Sequence, residues 1–301
     1  MAKFEFSVKQ VAREALPRLI DNLVFPNLVY KENIAGNAAK QGDTVSVRCP
    51  VKLEASEFSE SAGVTAQSVQ KDTVDVKLDH LATVDMQIGA VEAACDFDSI
   101  IKMFIEPAAA ALAEKINREG LALYKDIPYF AGTAGSAPDG LDDLANASLA
   151  LDNLKVPAGV RCAVWDPVAA SKLKQVPAIV NAEKCGSSSA LRTGSVGRVF
   201  GIENYMSQAV CSHNVTFGGT LTLSAAAAAE SEVTFTVANG SGKIGKGDII
   251  KIDGKSHTVL EDASLGESSV KVKLYPAVTA AKDASAEVIA SHTANLVFHP
   301  N

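Results

Sequence analysis

The sequence predicts a mixed α+β fold that carries a separate all-β segment, and three patterns indicate it. Residues 73–88 alternate apolar and polar side chains, as half-buried strands do, and residues 44–54 repeat the alternation as a partner strand. Residues 96–125 place apolar side chains at helical spacing. Residues 215–289 contain short apolar runs separated by Gly, Asn, Asp and Ser, which is typical of a small β-barrel or sandwich.

The two alternating segments predict one hairpin over residues 44–89, and its length is unusual. At about 3.3 Å per residue the return strand over residues 73–88 would span roughly 50 Å, whereas most strands have about 5–6 residues. A lone two-stranded ribbon is at best marginally stable in water, so its apolar side chains must be covered by the rest of the chain or by another copy. The predicted contact residues of the hairpin are Val45, Val47, Val51, Leu53, Val74, Val76, Leu78, Val84, Met86 and Ile88.

The segment before the hairpin is predicted to be an arm. A short helix is expected near residues 8–16, with a break at Pro17. An extended apolar segment is expected over residues 23–30, because Pro26 argues against a central strand. The candidate contacts in this arm are Phe25 and Tyr30.

The helix predicted over residues 96–125 has Asp98 as a candidate N-cap, and Pro107 is expected to kink or split it. Its alanine block lets another backbone approach closely, so we interpret this helix as a packed spine. Residues 126–140 are rich in Gly and Pro, which indicates a loop and a domain boundary.

A second region alternates helical and strand signals. An amphipathic helix is predicted over residues 141–154, a buried strand over 160–165 and a short helix over 167–174. A polar loop is expected over residues 183–194, and one or two strands over 199–210. This alternation predicts a small mixed α/β domain.

The last 90 residues are predicted to be all-β. Asp253-Gly254 lies between two apolar runs and is a strong signal for a hairpin turn. The predicted strands are residues 215–223, 233–237, 249–252, 257–260, 270–274 and 287–289.

The composition excludes several classes of protein. The chain has 301 residues, a net charge of −7 and 47% hydrophobic residues, and its Lys and Arg are scattered, which argues against a cationic surface for nucleic acid. No apolar run has the length of a membrane span or a signal peptide, so we expect synthesis and folding in the cytosol. The five cysteines are far apart and form no C-x-x-C pair, which argues against a zinc ribbon or a redox motif.

No sequence motif indicates catalysis or a cofactor. Residues 240–245 match G-x-G-x-x-G, but they lie between predicted strands, and a dinucleotide site needs a helix N-terminus there. The histidines lack ligand spacing and no nucleophile elbow occurs, so we expect no catalytic residue, cofactor or metal. The acidic side chains of the hairpin either stay solvated or pair with a neighbour's cations. The candidate charged contacts are Arg48, Glu54, Glu57, Glu60 and Lys71.

The order of the predicted elements resembles the major capsid proteins of tailed bacteriophages with the HK97 fold, and in detail the coat proteins of the P22 type. The run VFPNLVY at residues 24–30 precedes GDTVSV at 42–47, where the extended loop of that fold would begin. FIEPA at residues 104–108 resembles its spine helix, and GRVFGI at 197–202 its return through the axial domain. GDIIKIDG at residues 247–254 is similar to part of the β-barrel inserted in P22-like coats.

This resemblance implies a structural protein of the virion, assembled in the bacterial cytoplasm without a membrane. It implies self-assembly into hexamers and pentamers of an icosahedral shell, with a scaffolding protein and a portal as partners and double-stranded DNA enclosed non-specifically. The implied parts are an arm (1–42), the extended hairpin or E-loop (43–89), a peripheral domain with the spine helix (90–138), an α/β axial domain (139–212), the inserted β-domain (213–290) and a return strand (291–301).

Two other functions stay open at the level of sequence. A β-rich surface or adhesin-like binding module would explain the C-terminal strands but predicts a signal peptide. A soluble α/β enzyme built on residues 141–212 would explain the alternating region, but it needs a convergent polar site.

Overall fold

The computed structural model describes residues 8–31, 42–48, 51, 53, 55, 73–85, 100–181, 189–266 and 268–300. The chain divides into two compact units, residues 31–86 and residues 1–30 with 87–301. Helices and a mixed sheet occur together with a closed β-barrel, which confirms the predicted α+β class with an inserted all-β part.

The smaller unit contains an antiparallel hairpin of β1 (Thr44–Arg48) and β2 (Thr73–Lys77). The pairing predicted from the alternating pattern is confirmed for these strands. The predicted length of the return strand is wrong, because β2 ends at Lys77 and residues 78–85 are irregular.

The end of β2 has a physical reason in its hydrogen bonds. Leu78 donates its backbone N–H to the Asp43 carbonyl (2.9 Å) and accepts from the Gly42 N–H (2.7 Å). The described part of the first strand segment begins at Gly42, opposite this point, so the alternation in residues 79–85 has no ladder partner among the described residues. An alternating pattern becomes a strand only where a second strand supplies hydrogen bonds.

The larger unit begins with α1 (Val8–Asn22) and α2 (Phe25–Leu28). The break predicted at Pro17 is wrong: α1 continues through it, and Arg18 stabilises that turn by bonding the Glu14 carbonyl (2.8 Å). The extended segment predicted around Pro26 is also wrong, because this proline lies in the first turn of α2, where its missing N–H costs nothing.

The spine consists of a π-helical turn (Ile101–Ile105), α3 (Glu106–Leu121) and a 3₁₀ turn (Ala122–Asp126). The sequence predicts a kink or split at Pro107. In the structure the π-helical turn ends at Ile105 and α3 begins at Glu106, with Pro107 in the first turn of α3. The predicted N-cap Asp98 lies outside the described residues.

A buried amide fastens the N-terminal helices to the spine helix α3. The Asn117 side-chain oxygen accepts the backbone N–H groups of Val24 (3.0 Å) and Phe25 (3.2 Å), and its amide nitrogen donates to the Asn22 carbonyl (3.2 Å). These bonds satisfy the free N–H groups at the start of α2. The Phe25 ring packs directly on Gly120 of α3. A Cβ at position 120 would collide with this ring, so the packing requires glycine.

The central sheet of the larger unit has the order β14-β3-β5-β4, from β3 (Arg161–Trp165), β4 (Arg198–Val199), β5 (Ile202–Met206) and β14 (Leu296–Phe298). Strands β3 and β5 are parallel, and every residue of β3 is buried. The helices of this region are α4 (Leu141–Asn153), α5 (Pro167–Leu173), α6 (Pro177–Val180) and α7 (Ser189–Thr193).

The helices predicted over residues 141–154 and 167–174 are confirmed as α4 and α5, and α5 has a complete local start signal. Asp166 accepts the N–H groups of Val168 (3.2 Å) and Ala169 (3.3 Å), and Pro167 occupies the first turn. The polar loop predicted over residues 183–194 is wrong in its second half, where α7 forms. Residues 182–188 lie outside the described residues.

The barrel is inserted between β5 and β14. A neck of two short strands, β6 (Ser212–His213) and β13 (His292–Thr293), leads into and out of it. The barrel strands are β7 (Gly218–Leu223), β8 (Ala227–Ser241), β9 (Ile249–Ile252), β10 (Lys255–Val259), β11 (Ser269–Ala280) and β12 (Ser285–Val288). They close in the order β10-β11-β8-β7-β12-β9.

The barrel confirms the turn signal and corrects two strand lengths. Asp253 (φ 47°) and Gly254 (φ 81°) form the turn between β9 and β10, as the sequence predicted. Strands β8 and β11 are much longer than predicted, because they pair with each other through bulges that extend the ladder into the alanine-rich start of β8. Local propensity gave no signal for this long-range pairing.

Candidate functional site

One face of the hairpin consists of valines. The register pairs Val45 with Val76 and Val47 with Val74, so all four side chains lie on the same face. Val74 is 54% exposed and Val76 46% exposed. We call these four residues the valine face. Val45 and Val47 are half-buried, so within the described residues this face is apolar and partly open to solvent.

The opposite face of the hairpin is polar. Ser46 donates a hydrogen bond to Asp75, the residue with which it is paired. Arg48, a candidate charged contact, is exposed at the end of β1 and lies opposite Thr73. The hairpin is therefore amphipathic, and the polar face needs no cover.

The other sequence-predicted contact residues have different positions. Val51, Leu53 and Val84 are exposed, whereas Leu78 is half-buried. Six candidates lie outside the described residues: Glu54, Glu57, Glu60, Lys71, Met86 and Ile88.

The two candidates in the arm differ from each other. The half-buried Phe25 ring packs edge-on against Phe298 of the same chain, with 5.5 Å between ring centroids. Tyr30 has a 62% exposed side chain, and its backbone N–H donates to the Pro300 carbonyl (2.8 Å).

The sequence gave no signal for a buried chain of three polar side chains at the base of the barrel. The Tyr124 hydroxyl lies 2.6 Å from His213 Nδ1, and His213 Nε2 lies 2.6 Å from Asp248 Oδ1. The second Asp248 oxygen accepts the Gly245 N–H (2.8 Å). His213 and Asp248 are almost completely buried. The three residues come from the end of the spine, the neck and the barrel, so their sequence spacing carries no pattern.

This chain of side chains has the order of a catalytic triad, but its chemistry is different. Burial raises the pKa of Tyr124 to about 12, with smaller contributions from Cys211 and Asp248. An activated nucleophile needs a lowered pKa, so this hydroxyl stays protonated at neutral pH and acts as a hydrogen-bond donor. The network is therefore suited to holding three elements together.

We expect the Tyr124 hydroxyl to ionise near pH 12, well above the ordinary tyrosine value near 10. Because the folded state binds this proton more tightly than the unfolded state, its stabilisation is present below pH 10 and is lost as the pH rises towards 12. Urea unfolding across this pH range should show a steeper loss of stability for the natural chain than for Tyr124→Phe. Equal slopes for the two proteins would contradict this expectation.

A cavity of about 470 Å³ lies next to this network. Its walls come from the loop after the spine, helix α4, the neck and the barrel, and they include Tyr124, Tyr129, Phe130, Trp165, Thr258 and His292. Among the described residues, no cluster of three or more His, Cys, Asp or Glu side chains could hold a metal ion. No helix in the described ranges is long and apolar enough to cross a bilayer.

No family model matches the sequence, and no curated protein does either. Three solved structures are similar over most of the chain. The structure titled "Mycobacterium phage Che8" is 18% identical over 89% of this chain and 88% of its own, with a TM-score of 0.48. The capsid structure of cyanophage P-SCSP1u is 16% identical over 89% and 92%, with a TM-score of 0.41. The virus-like particle from Pyrococcus furiosus is 13% identical over 96% and 95%, with a TM-score of 0.40. Likenesses at this level assign no role to any residue of this chain.

Proposed function

We propose that this chain is a capsid protein of a tailed bacteriophage or prophage, and that it assembles with copies of itself through its hairpin. The observation that carries the proposal is the exposed valine face on an amphipathic two-stranded ribbon. A second copy of the chain would cover this apolar face of the ribbon. The order of elements supports the same function: helical arm, hairpin, spine helix, mixed sheet and inserted barrel follow one another as in the coat proteins that the sequence resembles.

The energetics favour a weak individual contact. Completing the burial of four half-exposed valines is worth on the order of 4 kcal/mol, at about 25 cal/mol per Å² of apolar surface. Association costs about 4–15 kcal/mol, so one hairpin contact does not hold two subunits together. Many such contacts in a ring or closed shell do, because each further contact is intramolecular. Assembly through this face is therefore reversible at each contact and cooperative as a whole.

The finer parts of the proposal follow from the resemblance. Subunits would form hexamers and pentamers of an icosahedral shell, in the host cytoplasm, around a scaffolding protein and with a portal. The shell would enclose double-stranded DNA without gripping it, which suits a net charge of −7. Arg48 on the polar face of the hairpin and Tyr30 in the arm, both exposed, are proposed as further contacts with neighbouring subunits.

Electron microscopy of the purified chain over a concentration series tests this function. We expect dispersed subunits of 31.4 kDa at low concentration and rings, sheets or closed shells above a sharp threshold, because cooperative contacts give a threshold. Dispersed subunits up to the limit of solubility would contradict self-assembly, and they would favour a binding module or an enzyme.

A further inference from the structure

The inserted barrel has a core of its own. Its fully buried side chains include Phe235, Ile244, Ile250 and Leu274, and every member of this cluster lies between Leu221 and Ala286. The partly buried apolar residues packed against it also come from residues 217–288. Because all the described residues of this cluster come from the barrel itself, the barrel can move as one body and keep its core.

In the described part of the chain, short polar contacts make up much of the joint between the barrel and the rest of the larger unit. The neck strands pair His213 with His292 and Ser212 with Thr293, and the Ala294 N–H beside them donates to the Cys211 carbonyl (3.0 Å). The Tyr129 ring meets the Tyr275 ring edge-on, with 5.1 Å between centroids.

Two further features indicate that the joint is weakly held. Lys246 of the barrel bonds Asp126 of the spine (2.6 Å), and both side chains are substantially exposed, so this ion pair contributes little. The cavity of about 470 Å³ lies in the same joint. A joint that is polar, exposed and incompletely packed is where a molecule bends most easily.

The buried network of Tyr124, His213 and Asp248 is the exception in this joint. The polar atoms of the network meet partners: the Tyr124 hydroxyl meets His213 Nδ1, His213 Nε2 meets Asp248 Oδ1, and the Gly245 N–H donates to Asp248 Oδ2. The backbone is also close, since a Cβ on Gly247 would come within 3.3 Å of His213. The hydrogen bonds of a satisfied buried network require one relative orientation of the elements that carry them. They break together when these elements separate.

We propose that the barrel pivots on its neck and that Tyr124, His213 and Asp248 form the latch that holds it against the end of the spine. Closed, the latch fixes the orientation of the barrel. Open, the barrel is held by two short strands and swings as a folded body. The pivot is a property of the single chain. The role of the pivot in assembly rests on the proposed function. In a shell with both pentamers and hexamers, a barrel that can change orientation lets the same chain contact neighbours in different arrangements.

Hydrogen exchange of the full-length, unassembled chain tests the latch with Tyr124→Phe, which removes one hydroxyl and keeps the ring. We expect the Ala294 amide, which bonds the Cys211 carbonyl beside the neck, to exchange about fivefold faster, the ratio that corresponds to one ordinary hydrogen bond. The Val237 amide, which bonds the Ser268 carbonyl inside the barrel, should be unchanged. The matched control is Tyr205→Phe. The Tyr205 hydroxyl that it removes bonds Glu203 within β5, so the exchange rate of neither amide should change.

Two results would overturn the latch. Unchanged exchange beside the neck in Tyr124→Phe would show that the network does not hold the joint. Equal acceleration beside the neck and inside the barrel would show that the network supports the barrel fold instead of its attachment. Because the measurement uses unassembled subunits, failure of the chain to form shells would leave this result intact.

Discussion

Val76→Asp is expected to abolish ordered assembly and to leave the subunit folded. Val76 is one of the four residues of the valine face, is paired with Val45, and is 46% exposed in the single chain. In the subunit the new carboxylate stays in water, so the free energy of unfolding should change by about 0.5 kcal/mol or less. In an assembly the same carboxylate would be buried without a partner, which costs several kcal/mol at every repeated contact. Sedimentation velocity and electron microscopy measure assembly, and thermal unfolding by circular dichroism measures the fold.

The matched control is Thr44→Asp on the polar face of the same hairpin. Thr44 is exposed and lies opposite Lys77, so the added carboxylate meets a cation and water, and assembly should persist. Val84→Asp, in the irregular segment after β2, tests whether the contact extends beyond the paired strands, and we expect it to weaken assembly as well. Normal shells from Val76→Asp would show that the valine face is not the contact between subunits.

Arg161→Ala is expected to lower the free energy of unfolding by about 2–3 kcal/mol, the largest effect we predict on stability, because the buried guanidinium loses its charge-assisted hydrogen bonds. The Arg161 side chain is 3% exposed. Its guanidinium donates to the Asp152 carboxylate (2.7 Å), the Val156 carbonyl (2.6 Å), the Pro157 carbonyl (3.1 Å) and the Ser148 hydroxyl (3.1 Å). These bonds tie the end of α4 and the following loop to β3, and the substitution removes all of them and empties the buried space of the Arg161 side chain.

Urea unfolding measures this loss, with Arg198→Ala as the control. Arg198 is on the same sheet, but it is exposed and makes one bond to a backbone carbonyl (3.2 Å), so its loss should cost about 0.5 kcal/mol or less. Arg161→Lys should recover only part of the stability, because an ammonium cannot reach four acceptors in the plane of a guanidinium. Equal effects of the two alanine variants would show that the Arg161 network contributes little.

Much of the local structure could be predicted because its signals lie within a few residues of one another. Asp166 and Pro167 indicate the start of α5, and the structure shows the cap bonds. Asp253-Gly254 indicates a turn, and both residues have the positive φ that such turns require. The alternation around Val45 and Val76 predicted which side chains share a face of the hairpin.

The tertiary structure decided what depends on partners far along the chain. The return strand of the hairpin ends at Lys77, whereas β8 continues past the bulges in its pairing with β11. The length of a strand depends on its partner strand as well as on its own pattern of apolar residues. Arg161 lies in a strand that the sequence predicts to be buried, but the sequence does not indicate its partners, and only the folding of α4 onto β3 surrounds it with acceptors. Tyr124, His213 and Asp248 lie 89 and 35 residues apart, so no local spacing could indicate their network. Sequence determines periodicity, caps and turns because these depend on neighbouring residues, whereas buried polar networks form only when distant segments exclude water together.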